Sequence, residues 1–267
     1  MNLLALDTCD SRGSVSVLRD VGVLATVEHN TPDDYSIWLL PAIDRALLAS
    51  GLTFKDIDVY VAAAGPGSFT GVRVGLTTVK AWAEVTSKPI VAVSRLEALA
   101  TQANAASTSA PASAPSEFVA AFANGQRQQI FAALYRRNAE RQDARQNDRL
   151  QRIGDEAVIA PDKFLAWAIE NSAAAPIHWI STDPQMLTET EAWSLRQTKT
   201  DGAVAAASRG VQAASPILAP AIGKLGYHLA TMKQFSDPLT LDANYVRRSD
   251  AEVSWIDRHQ RASKTAG

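Results

Sequence analysis

The chain has 267 residues, 46% hydrophobic, 20% charged and 7% aromatic, which excludes disordered, fibrous and disulfide-built classes and, at roughly 150 residues per domain, suggests two domains or lobes. Lys and Arg number 26 against 28 Asp and Glu, so no global cationic field holds nucleic acid and any RNA contact must be local or come through a partner. The one cysteine, Cys9, cannot make an internal disulfide or a cysteine-built zinc site; with Asp7 too early for a signal peptide and no apolar run near membrane-spanning length, a soluble cytoplasmic protein without membrane contact is expected.

Short apolar runs at 3–6, 14–18 and 23–27 are separated by the turn-forming Asp10-Ser11-Arg12-Gly13 and Arg19-Asp20-Val21-Gly22, predicting a three-strand antiparallel meander. Helical spacing of Ile37, Leu39, Leu40, Ile43, Leu47 and Leu48 before Gly51 predicts a helix, its main part placed from Pro41 because proline suits a first turn. A buried strand over 58–64 leads through a glycine-rich turn into a helix reaching Thr86. A strand over 90–93 follows, then a helix opened by a capping box of Ser94 and Glu97. Residues 1–102 thus form a first lobe of order β-β-β-α-β-α-β-α, a mixed sheet with helices on its faces.

Residues 103–116 contain six Ala, four Ser and two Pro, too little large apolar surface to fold alone, and predict a linker or loop. A second lobe, 117–250, opens with strands over 118–123 and 129–135 around the turn Asn124-Gly125. The stretch 126–152 holds seven arginines against three acids and is either a solvated loop or a patch facing RNA or a partner. Beyond it a helix over 161–171, a strand over 177–180 and helices over 202–214 and 221–235 are expected, a late helix packing back on the first lobe. A polar tail, 251–267, ends the chain.

Two places could carry chemistry. Asp7-Thr8 ends the first strand beside a tight turn, which is either plain turn chemistry or a way to hold a nucleotide phosphate and its metal. The run Gly65-Pro66-Gly67-Ser68-Phe69-Thr70-Gly71-Val72-Arg73-Val74-Gly75 lets a strand turn sharply into a helix that Ser68 or Thr70 caps, either as a structural turn or as an anion or partner site. No Gly-Lys-Ser/Thr follows, so it is not a P-loop. Arg73, the loop's one cation, pairs with phosphate or partner carboxylate, or is a tether. The four histidines, His29, His178, His228 and His259, lack the three- or four-residue spacing of a helical metal pair, and no Gly-x-Ser-x-Gly elbow occurs.

The pieces Leu4-Ala5-Leu6-Asp7-Thr8 with Ser14-Val15-Ser16-Val17, Leu39-Leu40-Pro41, the long glycine motif, Val93-Ser94-Arg95-Leu96-Glu97-Ala98-Leu99-Ala100 and Tyr245-Val246-Arg247 resemble the TsaB (YeaZ) family. That family belongs to the bacterial machinery that places threonylcarbamoyl on the adenosine next to the tRNA anticodon. The resemblance implies an α/β, actin-like (ASKHA, ribonuclease H-like) two-lobed fold with mixed sheets flanked by helices. It implies a non-catalytic dimerisation subunit that pairs with a TsaD-like catalytic subunit, recruits a TsaE-like ATPase and meets tRNA through the complex, or forms a homodimer when alone. The paired histidines of TsaD have no counterpart in 31–47 here. The candidate site residues are then Asp7, Thr8, Gly67 and Ser68, from the turn chemistry above, for a nucleotide or phosphate, and Leu39, Leu40, Ile43, Arg73, Val74 and Thr78 as the surface expected to face the partner. No catalytic residue, metal or cofactor of its own is implied, apart from an adenine nucleotide at the interface of the assembled complex. Asn124-Gly125-Gln126 stands where the family has Asp-Ala-Arg. The alternative class is an ATP-dependent phosphotransferase or hydrolase of the actin-like group, with Asp7 on the metal.

Overall fold

The computed structural model describes residues 1–103, 117–137, 150–173, 175–199 and 210–246. The expected linker from 104 onward, the middle of the arginine-rich stretch and the tail lie outside them.

The first sheet contains β1 (Asn2–Asp7), β2 (Ser14–Arg19), β3 (Gly22–Glu28), β4 (Val59–Ala63) and β5 (Ile90–Val93) in the order β3-β2-β1-β4-β5. The meander β1-β2-β3 is antiparallel, while β4 and β5 run parallel to β1. The second sheet contains β6 (Glu117–Asn124), β7 (Ile130–Arg137), β8 (Leu150–Ile159), β9 (Ile177–Ser181) and β10 (Val211–Ala213) in the order β10-β9-β6-β7-β8. Its opening strand likewise has an antiparallel meander on one side and parallel strands on the other. The same topology therefore occurs twice, as an actin-like α/β fold requires.

Helices α1 (Tyr35–Ser50) and α2 (Phe69–Thr86) pack beside each other on the first sheet, and α7 (Ala219–Thr231) packs on β1, β2, β4 and β5. Strands β1 and β4 are apolar and buried at successive positions because both faces of the sheet are covered. A Cβ on Gly226 of α7 would stand 2.5 Å from Val61 Cγ1, so glycine there sets how closely that helix lies on the sheet. Helix α3 (Arg95–Ala100) packs on β6, β7 and β9 and on α7, making it the joint between the lobes. One apolar cluster accordingly runs from Leu4 and Val91 in the first sheet to Val119, Ala133 and Ile180 in the second. A separate cluster, with Phe122, Phe164, Trp179 and Trp193, fills the space between the second sheet and α4 (Pro161–Asn171), α5 (Gln185–Thr188) and α6 (Glu191–Lys199).

Four expectations change. Helix α1 begins at Tyr35, not Pro41: Pro41 and Ile37, whose carbonyl loses its N–H partner, are both exposed, so water can serve that carbonyl. The arginine-rich stretch 126–152, expected as a solvated loop or a patch facing RNA or a partner, has strand at both described ends: β7 runs past the expected 135 to take in Arg136 and Arg137, and β8 takes in Arg152. Of the expected helix 202–214, residues 202–209 lie outside the described residues, and Val211–Ala213 form β10, which pairs with β9. Helix α7 covers 219–231 rather than 221–235, stopping where Lys233 takes a φ of 57°. Helices α5 and α6 were not anticipated.

Candidate functional site

The end of β1 opens into a turn that collects charged groups from three distant segments. Asp7 is fully buried; its Oδ1 accepts the Cys9 N–H at 2.9 Å and its Oδ2 faces Arg95 Nε at 3.4 Å. Arg95 is the first residue of α3. Ser94 Oγ caps that helix by accepting the Glu97 N–H at 3.1 Å, and the Arg95 N–H donates to Gly65 O at 2.7 Å, so the guanidinium enters the site from a fixed backbone. Its Nη2 donates to Asp10 Oδ2 at 3.0 Å. Arg12 Nη2 lies 3.4 Å from the same oxygen and 3.1 and 3.2 Å from the two oxygens of Asp183, just beyond β9. The sequence Asp7, Arg95, Asp10, Arg12, Asp183 is thus a relay of alternating charge that starts in the core of the first lobe and ends in the second.

The electrostatics follow from that order. Burial alone would raise the pKa of Asp10, but Arg95 and Arg12 outweigh it and hold the carboxyl below its ordinary value. Burial would lower that of Arg95, and Asp7 and Asp10 more than offset it. Burial and the charge of Asp7 push the Cys9 thiol well up, so it is a protonated core group rather than a nucleophile. Tyr35 closes the turn from α1, accepting the Gly13 N–H at 2.8 Å and donating to Asp10 O.

The glycine motif meets this turn backbone to backbone. Ser68 caps α2 by accepting the Gly71 N–H at 3.4 Å, and its own N–H donates to Cys9 O at 2.7 Å. Thr8, buried, donates from Oγ1 to Gly71 O at 2.6 Å. A Cβ on Gly67 or Gly71 would overlap Cys9 O or Thr8 O, and one on Gly75 would stand 2.5 Å from Thr8 Oγ1. Asp7, Thr8, Gly67 and Ser68 are therefore brought together, but by contacts that join α2 to the end of β1. Arg73, expected either as a tether or as a phosphate or partner contact, is exposed on α2; its Nε donates to Tyr245 Oη at 2.7 Å, and the guanidinium lies 3.9 Å from the Phe69 ring centre.

Of the expected partner-facing residues, Leu40 is 55% exposed, and Val74 and Thr78 are half-buried on α2. Leu39 and Ile43 are each 2% exposed and belong to the chain's own core. They lie four residues apart on the inner side of α1, whereas Ile37, Leu40, Pro41 and Leu48 share the outer side.

Sequence reasoning missed Arg95, Asp183 and Glu156 as members of any site. Glu156 lies where the β7–β8 register shifts, beside Gly154 with a φ of 68°, a bulge that turns its carboxylate toward the lobe joint. There it accepts from Ser94 Oγ, from Asn244 Nδ2 and, at 3.3 Å, from Tyr135 Oη. Burial raises its pKa.

An actin-like fold implies an adenine nucleotide and a divalent cation between the lobes. The residues present do not fit the cation. The oxygens of Asp7 are committed to Cys9 and Arg95, Asp10 faces two arginines, and among the described residues no three His, Cys, Asp or Glu side chains are grouped to hold a metal.

The family model described as TsaD: tRNA N6-adenosine threonylcarbamoyltransferase matches residues 23–215. The Bacillus subtilis tRNA threonylcarbamoyladenosine biosynthesis protein TsaB is 37% identical over 100 residues, 38% of this chain and 44% of that protein. A tRNA N6-adenosine threonylcarbamoyltransferase of Rhizobium meliloti is 35% identical over 117 residues, 36% of this chain and 32% of that protein. These alignments span less than half the length of the curated relatives. YeaZ from Pseudomonas aeruginosa shares the fold with a TM-score of 0.65 at 23% identity, over 91% of this chain and 99% of that one. The chain belongs to the TsaD family of tRNA N6-adenosine threonylcarbamoyltransferase and, within it, resembles TsaB (YeaZ).

Proposed function

We propose that the chain acts in tRNA threonylcarbamoyladenosine biosynthesis as a scaffold subunit rather than as the transferase. In this reading it pairs with a TsaD-like catalytic subunit, and the pair engages a TsaE-like ATPase and tRNA; alone, the same surface supports a homodimer. The observation that carries the reading is the outer side of α1. Ile37, Leu40 and Leu48 are 66, 55 and 83% exposed, with Pro41 and the exposed Asp44 among them, a largely apolar surface unusual for a helix that already buries an opposite face. Adjacent α2 adds the half-buried Val74 and Thr78, and its N-terminus is fixed to β1 by the glycine motif, so the two helices present one rigid surface. The committed state of Asp7 supports a role without phosphoryl transfer.

Co-purification with the TsaD of the same organism, followed by threonylcarbamoyl transfer to tRNA with and without this chain, tests the reading. A complex and dependent transfer are expected. Absence of both, together with magnesium-dependent ATP turnover by the isolated chain that is lost in Asp7→Asn, would instead establish the phosphotransferase or hydrolase class.

A further inference from the structure

The two β-hairpin turns that open the two sheets occupy equivalent places in the duplicated topology, after β1 and after β6. Asp183 touches both. Its carboxylate receives Arg12 Nη2 from the first turn at 3.1 and 3.2 Å and the Asn124 N–H at the start of the second at 3.4 Å. Thr182 Oγ1 donates to Oδ2 at 2.7 Å, and the Asp183 N–H is anchored on Ser181 Oγ at 2.9 Å. A guanidinium, a main-chain N–H and a hydroxyl converging on two oxygens form the donor set of an oxyanion site. In this chain the anion is supplied from within. The side chain of Asp183 is 13% exposed and that of Arg12 39%, so the pair closes the lobes at the point where the charge relay from Asp7 reaches the surface.

We propose that Asp183 is a built-in anionic ligand of the cleft between the lobes, standing where a phosphate group would bind and holding the lobes together without one. The misfit of Asp7 to a metal and the presence of this internal anion then have one explanation: countercharges that a phosphate and its cation would bring are already furnished by Asp183 and Arg95. The inference concerns the free chain and does not depend on the partner proposed above.

The test uses the full chain and inorganic pyrophosphate as the probe, at constant ionic strength. Asp183→Ala empties the donor set. It is expected to lower the Tm by roughly 2–6 °C, and pyrophosphate is expected to restore the loss saturably in Asp183→Ala while leaving the parent unmoved. Adding Arg12→Met to Asp183→Ala is expected to abolish the restoration. Equal stabilisation of parent and variant would place pyrophosphate elsewhere and overturn the proposal. So would a loss of stability that no anion repairs, which would reduce the contact to a simple ion pair, or an unchanged Tm. Should Asp183→Ala fail to fold, the half-exposed Arg12 offers a second route: in Arg12→Met, spin labels at introduced cysteines replacing the exposed Lys55 and Lys163 should report a broader interlobe distance distribution than in the labelled parent. An identical distribution would overturn the clasp.

Discussion

Arg95 and Asp7, 88 residues apart, form an ion pair buried on both sides: the side chains are 3% and 0% exposed, and Nε lies 3.4 Å from Oδ2. Each has a second partner nearby, Asp10 for the guanidinium and the Cys9 N–H for the carboxylate. Removing one partner strands the other in the core. Arg95→Leu is therefore expected to lower the unfolding free energy by about 3–5 kcal/mol, measured by urea denaturation, whereas an exposed pair such as the N-terminal amine with Asp20 should contribute about 0–1 kcal/mol.

The glycine motif yields a sharper contrast. Gly71→Ala and Gly67→Ala put a Cβ into the carbonyl oxygens of Thr8 and Cys9, which lie buried immediately after β1. Each should cost about 1–3 kcal/mol or more. Gly210→Ala, with nothing within 4 Å of its added Cβ, should be neutral when the three variants are compared in thermal melts.

On α1, adjacent residues should behave oppositely. Leu39→Ala is expected to destabilise the fold by about 2–5 kcal/mol through a core cavity. Leu40→Glu should leave the melting curve within about 0.5 kcal/mol of the parent and abolish association in analytical ultracentrifugation. Retained association in Leu40→Glu would move the partner surface off this helix.

The pH dependence has two arms of opposite sign. Asp10 has a folded pKa below its usual 3.8, so its stabilising contribution is present above that value and is lost as pH falls through the folded pKa. Glu156 has a folded pKa above its usual 4.5, so its contribution is full below 4.5 and is lost as pH rises through the folded pKa. Unfolding free energies measured from pH 3 to 8 should show Asp10→Asn flattening the acid arm, and Glu156→Gln flattening the decline above about pH 4.5.

Local pattern accounts for most of the fold. Strands β1 to β7 and β9, helices α2, α3 and α4 and the Ser94 cap were legible because each is specified by neighbours a few residues away: apolar runs, turn residues, a capping hydroxyl. Strand β8 was not, because Gln151, Arg152, Asp155 and Glu156 make it polar and its pairing with β7 supplies what its composition lacks. The three residues of β10 are too few to show a period, and β9 alone makes them a strand. Pro41 misled the start of α1 because whether a lost hydrogen bond matters depends on whether the carbonyl faces water, which sequence does not state.

The sequence by itself determined the repeated strand-rich openings, the glycine motif at the start of α2 and the likeness to TsaB. Only the tertiary structure decided what the charged residues do. Asp7 was legible as a strand-end carboxylate, but its partner Arg95 lies 88 residues on, and Arg12 and Asp183 are separated by 171. Charge carries no periodicity, so no local rule pairs residues that far apart; folding β1 against α3, and the first lobe against the second, brings opposite charges into a buried space where each must find the other.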